Sequence, residues 1–224
     1  MKSTLPVCRT IKLETGEFMK SSIWNFWADK YDRLWVQKYS LRPTRNYILK
    51  ALSEIKAIDN IKVLDLGCGP GQLINEMSKK FSNLEITGID FSEKMLEVSK
   101  SKNPQARHIK LDADELYKLK DTFNVIICTH SLPYYKEPER VMKEICRLLK
   151  DDGRVFMGFA SGDSFYDKFI LSFVKLTTGP ANYPSDKKFR KLVSSYFQVE
   201  KLNIIKEKSF MPRIAVYTLN KAVS

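Results

Sequence analysis

Short apolar runs recur along the middle of the chain at 62–66, 85–89, 107–111, 124–129 and 154–159, and each of the first four leads into helical periodicity or a short polar turn. Runs that lack polar alternation belong to strands covered on both faces, the condition of a parallel sheet flanked by helices. The helical stretches are 72–80, 92–101 and 137–149. Ser92 stands where an N-cap is needed, and Lys150-Asp151-Asp152-Gly153 is predicted to stop the third of these helices ahead of the fifth strand.

The pattern differs on either side of this alternation. Residues 1–20 mix charges with isolated apolar side chains and read as a loosely ordered arm or lid, whereas Trp24, Trp27, Tyr31 and Trp35 fall three and four apart, on one helical face. A second helix starts near Leu41-Arg42-Pro43-Thr44, where proline suits a first turn, and runs to about residue 56 with Tyr47, Ile48, Ala51 and Leu52 inward. Downstream, 164–176 forms an extra amphipathic helix, 178–184 is turn-rich, 186–196 is helical, and two strands at 198–204 and 213–220 follow without a helix between them, so they are antiparallel. The expected fold is α/β, a Rossmann-like doubly wound seven-stranded sheet, mostly parallel, with an antiparallel C-terminal hairpin and an N-terminal helical cover. It is expected as a single domain over 1–224, divided into arm and cover (1–57), core (61–160), insert (161–185) and C-terminal helix and strand pair (186–224).

Composition narrows the class. With 43% hydrophobic residues, 29% charged residues and 18 glycines and prolines among 224, the chain is neither disordered nor collagen-like. Thirty-eight basic against 26 acidic side chains give a net charge of +12, which raises a nucleic-acid or anionic-membrane partner. The surplus concentrates late: 187–224 holds nine basic and two acidic residues, while 113–186 holds ten and eleven. A solvated lysine face and a docking surface for an anionic partner both fit it. Cys8, Cys68, Cys128 and Cys146 form no CxxC pair, and the apolar surroundings of Cys128 and Cys146 suggest buried thiols in a reducing cytoplasm. The longest apolar stretches fall well short of the roughly 18 residues of a membrane span, and the N-terminus lacks a hydrophobic signal core.

The strongest local signal is Val63-Leu64-Asp65-Leu66-Gly67-Cys68-Gly69-Pro70-Gly71-Gln72. Alternate glycines after an apolar strand allow a tight turn and a close backbone approach to a ligand. The spacing is G-x-G-x-G rather than the dinucleotide G-x-G-x-x-G, and Asp65 would repel a phosphate but attract an ammonium, so a zwitterionic amino-acid moiety fits better. Asp90 closes the next strand, where a carboxylate can accept both hydroxyls of a ribose, and Leu111-Asp112-Ala113-Asp114 closes the third, where Asp112 can accept from an exocyclic amine. Helix capping is the structural alternative for each aspartate taken singly.

Through VLDLGCGPGQL, ITGIDFSEKML, LDADEL, FNVIICTHSLPYY and VMKEICRLLKDDGRVFMGF, about 61–160, the chain resembles the class I S-adenosylmethionine-dependent methyltransferases of the small-molecule group. The resemblance implies S-adenosylmethionine as cofactor and S-adenosylhomocysteine as product. It sets Asp65, Gly67 and Gly69, with Cys68 and Gln72 of the same loop, near the methionine part, and Asp90 on the ribose. Phe91 and Met95 would lie against adenine, Asp112, Ala113 and Asp114 at its edge, Thr129 near the amino group, and Tyr31 over the cofactor. Metal is not implied.

Methyl transfer from a sulfonium depends chiefly on alignment and exclusion of water. For a hydroxyl acceptor His130 is the candidate base, with a hydrogen-bonded wall residue as the alternative; His108 starts the third strand, away from the crevice. A small, partly hydrophobic acceptor is expected against Trp27, Tyr134, Phe165, Tyr166, Phe169 and Tyr183. An RNA methyltransferase using the basic C-terminus and a non-catalytic cofactor-binding protein remain the alternatives. The absence of an Asn-Pro-Pro-Tyr-like motif at Thr129-His130-Ser131-Leu132-Pro133-Tyr134 weighs against nucleic acid. Monomer and homodimer are both compatible with the sequence.

Overall fold

The computed structural model describes Asn25, 37–55, 60–178, 181–208 and 211–222, with side chains left out at 168 and 173–178. The aromatic helix of 23–35, with Trp24, Trp27, Tyr31 and Trp35, and the arm of 1–20 therefore lie outside the described residues.

A π-helical turn, Gln37–Leu41, leads into α1 (Arg42–Ser53), whose second residue is Pro43. Then come β1 (Ile61–Leu66), α2 (Gln72–Lys80), β2 (Leu84–Asp90), α3 (Glu93–Lys102), β3 (Arg107–Lys110), a 3-10 turn (Ala113–Lys118) and β4 (Phe123–Thr129). A second 3-10 turn (Leu132–Tyr134), α4 (Pro138–Leu148), β5 (Leu149–Ala160), α5 (Phe165–Thr178), α6 (Asp186–Val193), β6 (Phe197–Ile205) and β7 (Ile214–Lys221) complete the chain. The sheet has the order β3-β2-β1-β4-β5-β7-β6. The first five strands in space pair parallel, and β7 pairs antiparallel with both β5 and β6. The seven-stranded Rossmann-like architecture and its antiparallel C-terminal hairpin are as the sequence pattern predicts.

Two-residue periodicity divides the central strands between two cores. Val63, Val125 and Ile127 pack with Ile48 and Leu52 of α1 and Leu73, Ile74 and Met77 of α2. Leu64, Leu66, Ile126 and Cys128 point the other way, onto Val141, Met142 and Ile145 of α4 and Phe189 and Val193 of α6. Burial on both faces explains why these runs carry no polar alternation.

One boundary differs from expectation. Lys150-Asp151-Asp152-Gly153 lies inside β5, not between helix and strand, because the backbone is already extended at Leu149, which pairs with Phe123 across an irregularity in the β4–β5 ladder. Cys128 is buried as expected, but Cys146 is only partly so. Polar groups tie the insert down: Asp163 accepts from Ser161 Oγ, from the Arg213 guanidinium and from Asp186 N, and Asn182 N donates to Pro133 O at 2.7 Å. That last bond ties Asn182 to the loop that follows β4. No helix among the described residues is long and apolar enough to cross a membrane.

Candidate functional site

The strand order reverses direction between β1 and β4, and the crevice at the carboxyl ends of these strands is where doubly wound sheets take their ligands. Two adjoining cavities occupy it, about 670 and 410 Å3 of atom-free space including open solvent, and Gly67, Gly69, Thr129 and His130 line both. The site is thus one elongated crevice with two arms.

The glycine loop forms its floor. Gly67 N and Cys68 N donate to Ile89 O at 2.8 and 2.9 Å, which fastens the loop to the end of β2. Gly67, Gly69 and Gly71 all have positive φ, at 78°, 52° and 75°, so the sequence uses glycine where the left-handed conformation is required. A Cβ on Gly69 would meet nothing within 4 Å among the described residues, which leaves its backbone bare toward the crevice.

Asp90 organises the larger arm. Its Oδ2 accepts from Gly69 N and its Oδ1 from Ser92 N, both at 2.9 Å, so one carboxylate joins the glycine loop to the start of α3. Each oxygen keeps a lone pair for a further donor. Ser92 caps α3 by accepting from Met95 N at 3.3 Å and donates to Asn25 Oδ1 at 2.7 Å. Phe91, Met95, Leu111, Asp112 and Ala113 line the same arm. Asp112 is a cap, since Oδ1 accepts from Asp114 N at 3.1 Å, and that use leaves its other oxygen for a ligand. Asp114 is turned away: it does not line the crevice, Oδ1 accepts from Glu137 N at 3.4 Å, and Oδ2 is buried without a partner among the described residues.

The smaller arm holds Asp65, Cys68, Gln72 and Arg45. Asp65 is 2% exposed, and its carboxylate makes no hydrogen bond among the described residues. Burial, reinforced by the neighbouring Asp90 charge, raises its pKa to about 7 against the opposing pull of Arg45; burial likewise raises Asp90 to about 6. The sequence pattern does not single out Arg45. Its Nε donates to both carboxylate oxygens of Glu76 at 3.1 Å, and Nη1 donates to Gln37 and Gln72 at 3.0 Å each. Nη2 has no partner among the described residues. The arm thus sets an anionic and a cationic group side by side, the complement of a zwitterion.

The wall after β4 is a hydrogen-bonded turn. Ser131 Oγ donates to Leu66 O at 3.1 Å and lies within 3.1 Å of Cys128 Sγ and 3.0 Å of Tyr135 Oη. His130, with φ +60°, is partly buried between the arms, and burial together with the Arg45 charge lowers its pKa to about 4. Tyr134 lines the larger arm. The other aromatic candidates do not: Phe165 is 89% exposed, Tyr166 and Phe169 are exposed, Tyr183 is partly buried, and none of them lines either cavity. An amphipathic pattern reports that one face of α5 is apolar, not what that face meets. Among the described residues no cluster of three His, Cys, Asp or Glu could hold a metal ion.

Residues 64–157 match the family described as a methyltransferase domain. The chain is 31% identical over 128 residues to demethylmenaquinone methyltransferase of Thermotoga maritima, covering 57% of this chain and 56% of that protein. It is 34% identical over 111 residues to ubiquinone biosynthesis O-methyltransferase of Pelagibacter ubique, covering 48% and 45%. The chain spans about half the length of the curated relatives it matches. Magnesium protoporphyrin IX methyltransferase from Synechocystis PCC 6803, solved with bound S-adenosylhomocysteine, superimposes with a TM-score of 0.72 at 18% identity over 91% of this chain and 100% of that one, which establishes the shared fold.

Proposed function

We propose that the chain, whose residues 64–157 match a methyltransferase domain, is a class I S-adenosylmethionine-dependent methyltransferase that transfers a methyl group from S-adenosylmethionine to a small, partly hydrophobic acceptor. The observation that carries the reading is the pairing of two unlike polar ends in one crevice. At one end the buried Asp65 carboxylate and Nη2 of Arg45, both without a hydrogen bond among the described residues, suit the ammonium and carboxylate of an amino acid. At the other, the spare lone pairs of Asp90 suit a ribose diol, and Phe91, Met95, Leu111 and Ala113 offer apolar walls to a purine. A phosphate-bearing dinucleotide would meet carboxylates in both arms.

When bound, the cofactor supplies a methyl group already activated by a sulfonium. The protein's own contribution is alignment. The Asp90 bonds to Gly69 N and Ser92 N fix the crevice floor before any ligand arrives, and such preorganisation is a large source of rate in a displacement that needs collinear atoms. Thr129 and His130 stand where the arms join and so border the reacting centre, with Tyr134 beside them. The acceptor space is then the part of the larger arm beside Tyr134, reached past the insert that Asn182 holds against Pro133. Trp27 and Tyr31 as cover, and cytoplasmic residence, belong to the same proposal. Metal has no role in it.

The basic surplus does not favour an RNA substrate. Its carriers lie on α6, β6, β7 and the connection between the two strands, and β6 is the sheet edge, three strands beyond β4.

Calorimetry tests the cofactor and a panel of quinol, carboxylate and amine acceptors tests turnover. S-adenosylhomocysteine is expected to bind and NAD not to; tighter binding of NAD would overturn the reading, and cofactor binding with no transfer to any acceptor would favour a non-catalytic binder. Asp112→Ala is expected to weaken S-adenosylhomocysteine by about 1 kcal/mol, roughly fivefold, through one lost hydrogen bond. An unchanged dissociation constant would remove Asp112 from the adenine edge.

A further inference from the structure

Thr44 lies in the first turn of α1, fully buried, and its single hydroxyl hydrogen has a committed acceptor: Oγ1 donates to Ser40 O at 2.8 Å. The same Oγ1 stands 3.2 Å from His130 Nε2. A carbonyl oxygen can only accept, so the Thr44 hydrogen is spent there and the oxygen can only accept from the imidazole. Neutral imidazole carries one N–H, so a proton on Nε2 leaves Nδ1 as a bare lone pair. Nδ1 has no partner among the described residues, and His130 lines both arms of the crevice.

We propose that Thr44 is a positioning residue that locks His130 in the Nε2–H tautomer, so that Nδ1 is the atom that accepts the hydrogen of a hydroxyl acceptor, X–H with X an oxygen. The inference rests on the methyltransferase reading for its consequence, though not for the tautomer itself. In the transfer, the X–H bond breaks toward Nδ1, its electron pair stays on X, whose lone pair has formed the X–CH3 bond, and the S–C pair stays on sulfur. The low basicity of His130 agrees with this role. An imidazole that titrates near 4 takes little from a resting hydroxyl, but it is amply basic toward the oxonium formed as the methyl reaches a hydroxyl oxygen. His130 is held for the task from the other side as well: its backbone N donates to Gly158 O at 2.6 Å, and the Thr44 methyl sits where a Cβ on Gly158 would be 3.0 Å away.

The chain has two histidines, and the second is a built-in reference. His108 Nδ1 faces the Ala106 carbonyl at 3.0 Å and Nε2 faces Ser99 Oγ at 2.8 Å, so His108 must be the opposite, Nδ1–H tautomer. Long-range proton–nitrogen correlation of the 15N-histidine-labelled protein at neutral pH, assigned with His108→Gln, is expected to show the two rings with inverted nitrogen patterns. Thr44→Val is expected to move the His130 nitrogens toward averaging while leaving those of His108 in place, and Thr44→Ser is expected to restore the Nε2–H pattern. A wild-type His130 with its proton on Nδ1 overturns the proposal, as does a His130 pattern unmoved by Thr44→Val. Should Thr44→Val fail to fold, which the His108 signals report, the wild-type and Thr44→Ser spectra decide. These spectra need no cofactor, so absence of S-adenosylhomocysteine binding with the inverted pattern present would sink the methyltransferase reading alone.

Discussion

Gly71→Ala is expected to destabilise the protein by about 2–5 kcal/mol, the sum of a left-handed backbone cost of about 1–2 kcal/mol and an overpacking cost of about 1–3 kcal/mol. Gly71 precedes α2 with φ +75°. An added Cβ would stand 2.5 Å from Asn103 Nδ2 and closer still to Ser99 Oγ. Neither neighbour can retreat. Asn103 is fully buried and its amide already donates to Gly71 O and Ser99 O at 3.0 Å each, while Ser99 is buried at the end of α3 and bonded to His108. Gly69→Ala is the matched control, since its φ is +52° but its Cβ would meet nothing within 4 Å among the described residues, so only the backbone cost of about 1–2 kcal/mol remains. Denaturant midpoints of both variants check the difference. Equal losses would mean that the α3 contact plays no part and that φ alone selects these glycines.

That comparison also explains which parts of the site are legible in sequence. The glycine loop and Asp90 are readable because their signals are local: an apolar run sets the strand end, and a turn and then a helix cap come directly after it. Ser92 is found for the same reason, and its side chain does accept from Met95 N. Arg45 and Thr44 are not readable in that way. They sit on the buried face of α1 with Ile48 and Leu52, where a pattern reader counts a cation and a hydroxyl as outward-facing. A basic residue one step from an otherwise apolar helical stripe is the only trace Arg45 leaves. Conversely, Phe165, Tyr166 and Phe169 look like lining because aromatic residues favour burial, yet the insert is fixed through Asp163, Asp167 and Arg213 and turns those rings outward. Lys150-Asp151-Asp152-Gly153 misleads for a related reason: its composition is that of a helix stop, but pairing of Leu149 with Phe123 starts the strand early.

Binding of S-adenosylhomocysteine is expected to weaken roughly 100-fold between about pH 7.5 and about pH 5.5, because each carboxylate that must be ionised in the complex costs up to a factor of about ten per pH unit below its unliganded pKa. Asp65 titrates at about 7 and Asp90 at about 6 in the unliganded protein, so the first governs most of this span and the second joins at its acid end. The ligand reverses the cause of both shifts. An ammonium beside Asp65 replaces the missing counter-charge, and ribose hydroxyls donate to the ionised Asp90, so binding releases protons. Calorimetry in buffers of different ionisation enthalpy would measure that release directly. The same groups set an opposite trend in the unliganded fold. Between the ordinary carboxylate value of 3.8 and these raised values the folded protein binds more protons than the unfolded chain, so stability falls as pH rises through about 6 and 7 and is recovered on acidification. Asp65→Asn is therefore expected to stabilise the free protein near neutral pH while removing the upper part of the binding profile. A dissociation constant independent of pH across this range would show that Asp65 is not the ammonium's partner. Loss of affinity in Asp65→Asn without the gain in stability would instead show that Asp65 is already ionised and paired in the free protein. The two carboxylates are thus held at a cost to the empty fold, and that cost is what a ligand bearing an ammonium and hydroxyls relieves.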